Sequence, residues 1–271
     1  MTHATTPDGL IVESRGAGPE VVLVHGILGD YRQWSELADV LDHDHRVRAL
    51  SRRYHWPSPP PAPGVAYTAA AQAADLERLL QSLGTPSHLV GHSYGAGLVL
   101  LTALLHSELV RSVTLIEPPC GSLPSAPALA PERASRTAMI EAVRESVDAG
   151  APERGAELLI DWVQGGRGGF RRLPRAVRDH ILENAATLGP TVSSPGPDAT
   201  CEEVRELRVP VLVLRGERTR PWYRLIAEAA SACIPGAQIA IIARAGHMAI
   251  LENAAATATL VRGFIAQHER H

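Results

Sequence analysis

At 271 residues the chain is long enough for a large α/β domain carrying an insertion, and equally for two small domains. Its formal net charge of −3, with both signs interspersed and no basic stripe among aromatics, argues against nucleic acid as a partner. No window approaches the roughly 18 uninterrupted apolar residues of a membrane span, so none is expected.

The first eight residues, 1–8, lack the basic and apolar regions of a secretory signal, which predicts a protein that is not exported. Residues 10–14 predict a short strand, and residues 21–25 form a β-branched apolar run of the kind buried on both faces of a sheet. That run stops at His25-Gly26, and a helix is expected over 31–41, with Trp34, Leu37 and Leu41 at helical spacing. A strand over 46–50 leads into a loop, 51–64, whose prolines 57, 59, 60, 61 and 63 bar it from a helix or central strand. The pattern over 67–83 is helical and ends at Gly84-Thr85-Pro86.

Residues 87–90 have strand composition, and residues 98–105 are apolar on every side, as a helix buried against a sheet must be. Between them lies Gly91-His92-Ser93-Tyr94-Gly95, the pattern of a sharp strand-to-helix turn that lifts one serine hydroxyl out of the surface. A buried strand over 112–116 ends at Glu117-Pro118-Pro119. Strand and helix alternate up to this point, which predicts a mostly parallel sheet with right-handed crossovers.

From 120 to 200 the character changes to Pro/Ala-rich sequence with amphipathic stretches at 132–149, 152–163 and 174–188, read as a helical insertion or lid. The glycine cluster Gly165-Gly166-Arg167-Gly168-Gly169 within it is read as a turn, because no strand precedes it and no Lys-Ser/Thr follows as a phosphate loop requires. A strand at 209–216, a helix at 223–233, a strand at 238–242, the loop Ala243-Arg244-Ala245-Gly246-His247-Met248 and a helix at 252–268 complete the chain. The expected division is a core of 1–119 and 201–271, with 120–200 inserted.

Cys120, Cys201 and Cys233 are odd in number and lack any paired spacing, which predicts no disulfide framework and a cytoplasmic, reducing setting. His43, His45, His55, His106, His180, His268 and His271 are unclustered, so no metal and no cofactor are expected.

A serine hydroxyl is a weak nucleophile at its free pKa, so Ser93 needs a nearby base, and His247, in a glycine-flanked loop after the last strand, is the best one. The oxyanion of a tetrahedral intermediate needs preorganised N–H donors; Tyr94, after the nucleophile, and Ile27, after the His25-Gly26 strand end, are the candidates. Neighbouring His92 is read as packing, pointing away from the serine.

Taken together, the serine turn, the His25-Gly26 loop, the Gly246-His247 loop and the inserted helices resemble the α/β-hydrolase superfamily over nearly the whole chain. The resemblance implies hydrolysis of ester, lactone, amide, thioester or carbon–carbon bonds. A serine rather than an aspartate at 93 disfavours the dehalogenase and epoxide hydrolase branches. The superfamily's usual acid slot, counted from Gly216, falls on Thr219, which cannot carry a negative charge. Glu217 flanks the slot and is read as a loop residue. The superfamily's other acid position lies after the strand that follows the serine helix, and Glu117 stands there, 24 residues beyond Ser93. Zearalenone-lactone hydrolases are similar in this Ser-His-Glu arrangement.

The expected site is therefore Ser93, His247 and Glu117 with Ile27 and Tyr94, and a pocket drawn from Leu28, Pro118, Met139, Trp162, Trp222 and Met248. The expected activity is cofactor-independent hydrolysis of a hydrophobic small-molecule ester or lactone. The alternatives are a carbon–carbon bond hydrolase of β-diketone type and a non-hydrolytic ligand-binding protein on the same scaffold. Nothing in the pattern excludes a homodimer.

Overall fold

The computed structural model describes residues 2–7, 9–62, 64–65 and 67–269, without the side chains of Ala126 and Ala128; Pro63 and His271 lie outside the described residues. In chain order the elements are β1 (Thr2–Thr5), β2 (Ile11–Arg15), β3 (Glu20–Val24), α1 (Ser35–Leu41), β4 (Arg46–Ser51), α2 (Ala69–Leu83), β5 (Ser87–His92), α3 (Tyr94–Leu105) and β6 (Val110–Ile116). Then come α4 (Ala126–Asp148), α5 (Pro152–Val163), α6 (Gly169–Arg172), α7 (Arg175–Glu183), α8 (Leu188–Val192), α9 (Cys201–Val204), β7 (Val211–Gly216), α10 (Pro221–Cys233), β8 (Gln238–Ile242), α11 (Ala249–Glu252) and α12 (Ala254–Gln267).

The eight strands form one sheet in the order β1-β2-β4-β3-β5-β6-β7-β8. β2 runs antiparallel to both β1 and β4, and every later pairing is parallel. Central strands are buried on both faces, which is why 21–24 reads as an unbroken apolar run and 113–116 as one interrupted only by the buried Thr114. One face packs α2, α3 and α10, with Leu76, Leu80, Leu98, Leu100 and Ile226 in its core, and α4 and α5 join this cluster through Val143 and Leu159. The other face packs Trp34, Leu37 and Leu41 against Val261 and Phe264 of α12. Full burial of each such large apolar side chain stabilises by about 1.5–3 kcal/mol.

Several expectations are refined. The helix over 31–41 opens as a 3-10 turn, Tyr31–Trp34, because the Asp30 carboxylate accepts from Arg32 N at 2.9 Å and caps it. The final helix divides in two at Asn253, whose side chain caps α12 by accepting from Ala256 N. The glycine cluster forms the turn between α5 and α6, and the N–H groups of its Gly168 and of Phe170 just after it donate to the Asp161 carboxylate at 3.1 and 2.9 Å.

The cysteine expectation is corrected. Cys201 and Cys233 form a disulfide with their Cα atoms 5.3 Å apart, joining α9 to the end of α10. They stand 32 residues apart, a separation without local spacing signal, and the β7–α10 return of the chain brings them together. The cysteine count therefore does not argue for a reducing compartment. Among the described residues no helix is long and apolar enough to cross a membrane.

Candidate active site

β5 is the centre of the parallel sheet, and at its carboxyl end the backbone of Ser93 takes φ 51° and ψ −120° before α3 begins at Tyr94. Such a conformation is costly for a residue with a Cβ and is held only where the surroundings fix it. Here they do. Ser93 N donates to Ile116 O of β6 at 2.8 Å, and the flanking glycines let three backbone segments close on the turn. A Cβ on Gly95 would lie 2.1 Å from Val24 O, and one on Gly91 would lie 2.4 Å from Gly95 O. No other residue fits either position.

The structure brings Ser93, His247 and Glu117 together. His247 Nε2 lies 3.1 Å from Ser93 Oγ, and His247 Nδ1 lies 3.1 Å from Glu117 Oε2. The imidazole therefore donates from Nδ1 to the carboxylate and accepts the serine hydroxyl at Nε2. Thr219, at the slot that holds no acid, donates its hydroxyl to Glu117 Oε2 at 2.6 Å, while Gly216 N donates to Glu117 Oε1 at 2.6 Å. Glu217 is exposed and turned away, accepting from Arg244 N at 2.8 Å.

Burial pushes the Glu117 carboxyl up to about 7, against the Thr219 and Gly216 donors, which favour its ionised form. Burial likewise pushes the His247 imidazole down to about 3, keeping it neutral and able to accept a proton. His92 points away from the serine, as read from the sequence. Its Nε2 donates to the His247 main-chain carbonyl at 2.8 Å, so it steadies the loop that carries the base.

Two cavities meet at Ser93. One, of about 220 Å³, is lined by Leu28, Ile160, Val163, Ile181 and Met248; the other, of about 340 Å³, by Met139, Trp162, Trp222, Arg133 and Arg136. Ile27, Ser93, Leu159 and Tyr223 line both, and Tyr94 lines the second. Five of the six predicted pocket residues are thus on cavity walls. Pro118 is the correction: Glu117 turns the chain with φ 54°, which buries Pro118 and puts Pro119 on the wall instead.

Sequence reasoning missed Tyr223, whose ring stacks on His247 with centroids 3.9 Å apart at 25°. It also missed Thr219 as a partner of the acid. The one available signal was position, since both follow β7, the strand beside the Glu117 strand. The helices between β6 and β7 are tied to the loops after β3 and β4 by Asn184, whose amide donates to Asp30 at 2.9 Å and accepts from Trp56 N at 2.8 Å.

Comparison with known proteins agrees with this fold. The Alpha/beta hydrolase family matches residues 21–260. Carboxylesterase YbfK of Bacillus subtilis is 26% identical over 242 residues, 86% of this chain and 76% of that protein. Its crystal structure superposes with a TM-score of 0.79 at 22% identity, covering 98% of this chain and 91% of that one. A bromoperoxidase from Bacillus anthracis superposes with a TM-score of 0.80 at 18% identity, covering 98% and 100%. The sn-1-specific diacylglycerol lipase of Mus musculus is 34% identical over 110 residues, 39% of this chain and 35% of that protein. The match thus spans about a third of the length of that lipase.

Proposed function

This chain belongs to the alpha/beta hydrolase family, and from that premise we propose that it is a cofactor-independent serine hydrolase acting on an ester or lactone of a hydrophobic small molecule. The observation that carries the reading is the continuous relay from Glu117 through His247 to Ser93 at two contacts of 3.1 Å. Similarity to carboxylesterases supports the hydrolase part, and the largely apolar 220 Å³ cavity beside Ser93 supports the hydrophobic substrate.

The reaction runs in two halves. Ser93 Oγ attacks the carbonyl carbon while its proton passes to His247 Nε2, and Glu117 stabilises the imidazolium through Nδ1–H. The tetrahedral oxyanion accepts from the Ile27 and Tyr94 N–H groups. Collapse breaks the bond to the alcohol oxygen, which takes the proton from Nε2 and leaves an acyl group on Ser93. Water, deprotonated by His247, then adds to the acyl carbon, and Ser93 Oγ departs with the returned proton.

The test is turnover of an activated aryl ester together with labelling by a fluorophosphonate. Ser93→Ala is expected to abolish both while leaving the circular dichroism spectrum unchanged. A folded wild-type protein that neither turns over nor labels would overturn the proposal in favour of a ligand-binding protein on this scaffold.

A further inference from the structure

Arg52, the residue after β4, is 3% exposed, yet among the described residues no carboxylate is ion-paired with it. Its neighbour Arg53 takes the nearby Asp75. The acceptors around the Arg52 guanidinium are all neutral: Nη2 donates to Gly26 O at 2.9 Å, and Nη1 donates to the Tyr67 hydroxyl at 3.2 Å and to Gln72 Oε1. Its Nε has no hydrogen-bond partner among the described residues. A buried charge without a counter-ion is expensive and is not kept for stability.

The Gly26 oxygen belongs to the peptide unit that supplies the Ile27 N–H. Among the described peptide bonds only Trp56–Pro57 is cis, so this unit is trans and planar, with its C=O and N–H pointing in opposite directions. His25 Nδ1–H donates to the same oxygen at 2.8 Å, and His25 Nε2 in turn accepts from Arg52 N at 2.9 Å. Burial, reinforced by the adjacent guanidinium, holds His25 well below the ordinary histidine range, so its ring is neutral and the one positive charge at this oxygen is that of Arg52. The guanidinium also lies 4.8 Å over the ring of Tyr94, whose hydroxyl accepts from Gln72 Nε2 at 3.2 Å.

We propose that Arg52 is a positioning residue for hydrolysis: kept free of a carboxylate, its charge grips and polarises the Gly26–Ile27 peptide so that the opposite end, the Ile27 N–H, becomes a stronger donor to the oxyanion. The inference rests on the serine hydrolase reading. A cation at the oxygen end of a peptide dipole enhances the positive end, and the gain is largest when full charge develops on the substrate oxygen. The effect therefore falls on kcat more than on KM.

Three variants test it with an activated ester: Arg52→Met, Arg52→Lys and Gln72→Glu. Arg52→Met is expected to lower kcat by about 10²-fold, the scale of losing one oxyanion donor, with KM changed less than about threefold. Arg52→Lys is expected to recover part of that loss. Gln72→Glu is nearly isosteric and sets a carboxylate against the guanidinium, so kcat is expected to fall about tenfold while the unfolding temperature holds or rises. A merely structural arginine predicts the reverse, since pairing its charge would leave kcat intact. Gln72→Glu with wild-type kcat overturns the proposal, whether or not Arg52→Met folds. A folded wild type inert toward activated esters overturns both readings; an active, Ser93-dependent wild type with unaffected Gln72→Glu overturns the role of Arg52 alone.

Discussion

The sheet and the helices between β6 and β7 meet at Ser93, and they are built differently where they meet. On the sheet side the backbone itself is placed: Ser93 and Glu117, each directly after a strand, and Leu28, in the loop after β3, hold positive φ values of 51°, 54° and 61°. Those of Ser93 and Glu117 are kept by backbone hydrogen bonds to the neighbouring strand, Ser93 N to Ile116 O and Glu117 N to Leu214 O, both 2.8 Å, and by glycines that admit close approach. On the inserted side the helices α4 to α8 contribute side-chain walls such as Met139, Leu159, Trp162 and Ile181, tied down by polar latches like Asn184 to Asp30. A rigid frame of strand ends suits the reacting atoms, which tolerate little displacement; a packed set of helices suits shape selection. Changes on the sheet side should therefore act on kcat, and changes in the insertion on KM.

The largest effect is expected from Gly95→Ala. Its new methyl would fall 2.1 Å from Val24 O and 2.6 Å from His25 O, both backbone atoms that cannot step aside alone. Overpacking of this kind costs at least about 1–3 kcal/mol, and relief here must open the turn that carries Ser93. Thermal unfolding and fluorophosphonate labelling should show a lowered transition and loss of labelling. A variant with wild-type stability and labelling would mean that the turn is looser than its contacts require. Next comes Glu117→Gln, which keeps the shape but removes the charge facing His247 Nδ1. A kcat loss of about 10⁴-fold is expected, as for other triad acids; Glu217→Gln, at an exposed side chain that accepts from Arg244 N, is expected to stay within about twofold.

Much of the frame was legible because burial leaves a mark on sequence. The apolar run at 21–24 and the largely apolar, β-branched run at 113–116 report strands covered on both faces, and Gly91 and Gly95 report a turn with no room for side chains. Ser93 and His247 could be read from their glycine-flanked positions at strand ends. What could not be read was which loop faces which. Thr219 reads as a missing acid and is instead a donor to the acid supplied by Glu117, because β7 lies beside β6 in the sheet. The Cys201–Cys233 bond and the stacking of Tyr223 on His247 were hidden for the same reason, being contacts made by chain return rather than by spacing. The stretch between β6 and β7 was legible as helical, but its helix limits and the latch through Asn184 were not.

Thr219→Val probes the acid arm more gently. The Thr219 hydroxyl stabilises ionised Glu117, whose carboxyl burial already pushes up to about 7. Removing that donor raises the pKa further, and the form lost as pH falls is the ionised, active one. The acidic limb of kcat/KM, which belongs to the Glu117–His247 pair as a unit, should therefore shift to higher pH, with rates near wild type above the limb. A limb that stays in place, or moves to lower pH, would show that Thr219 does not govern the acid.

Trp162→Ala makes the smallest change, and it tests the other side of the division. Trp162 lines the 340 Å³ cavity, held by Nε1–H donation to Ser135 Oγ at 2.9 Å and by the Arg220 guanidinium 3.8 Å over its ring. Among the described residues it makes no direct contact with His247 or the oxyanion peptides; its ring meets Tyr223 edge-on with centroids 6.1 Å apart, so its removal enlarges a wall one ring removed from His247. For a small ester KM should rise by about tenfold with kcat within about threefold, since pocket contacts distinguish apolar groups by only 1–3 kcal/mol. Longer acyl or alcohol groups should recover the loss by filling the space vacated by the indole. A fall in kcat at unchanged KM would instead mean that α5 helps to set the reacting geometry, and the separation between frame and walls would have to be redrawn around Leu159 and Tyr223, which border both cavities.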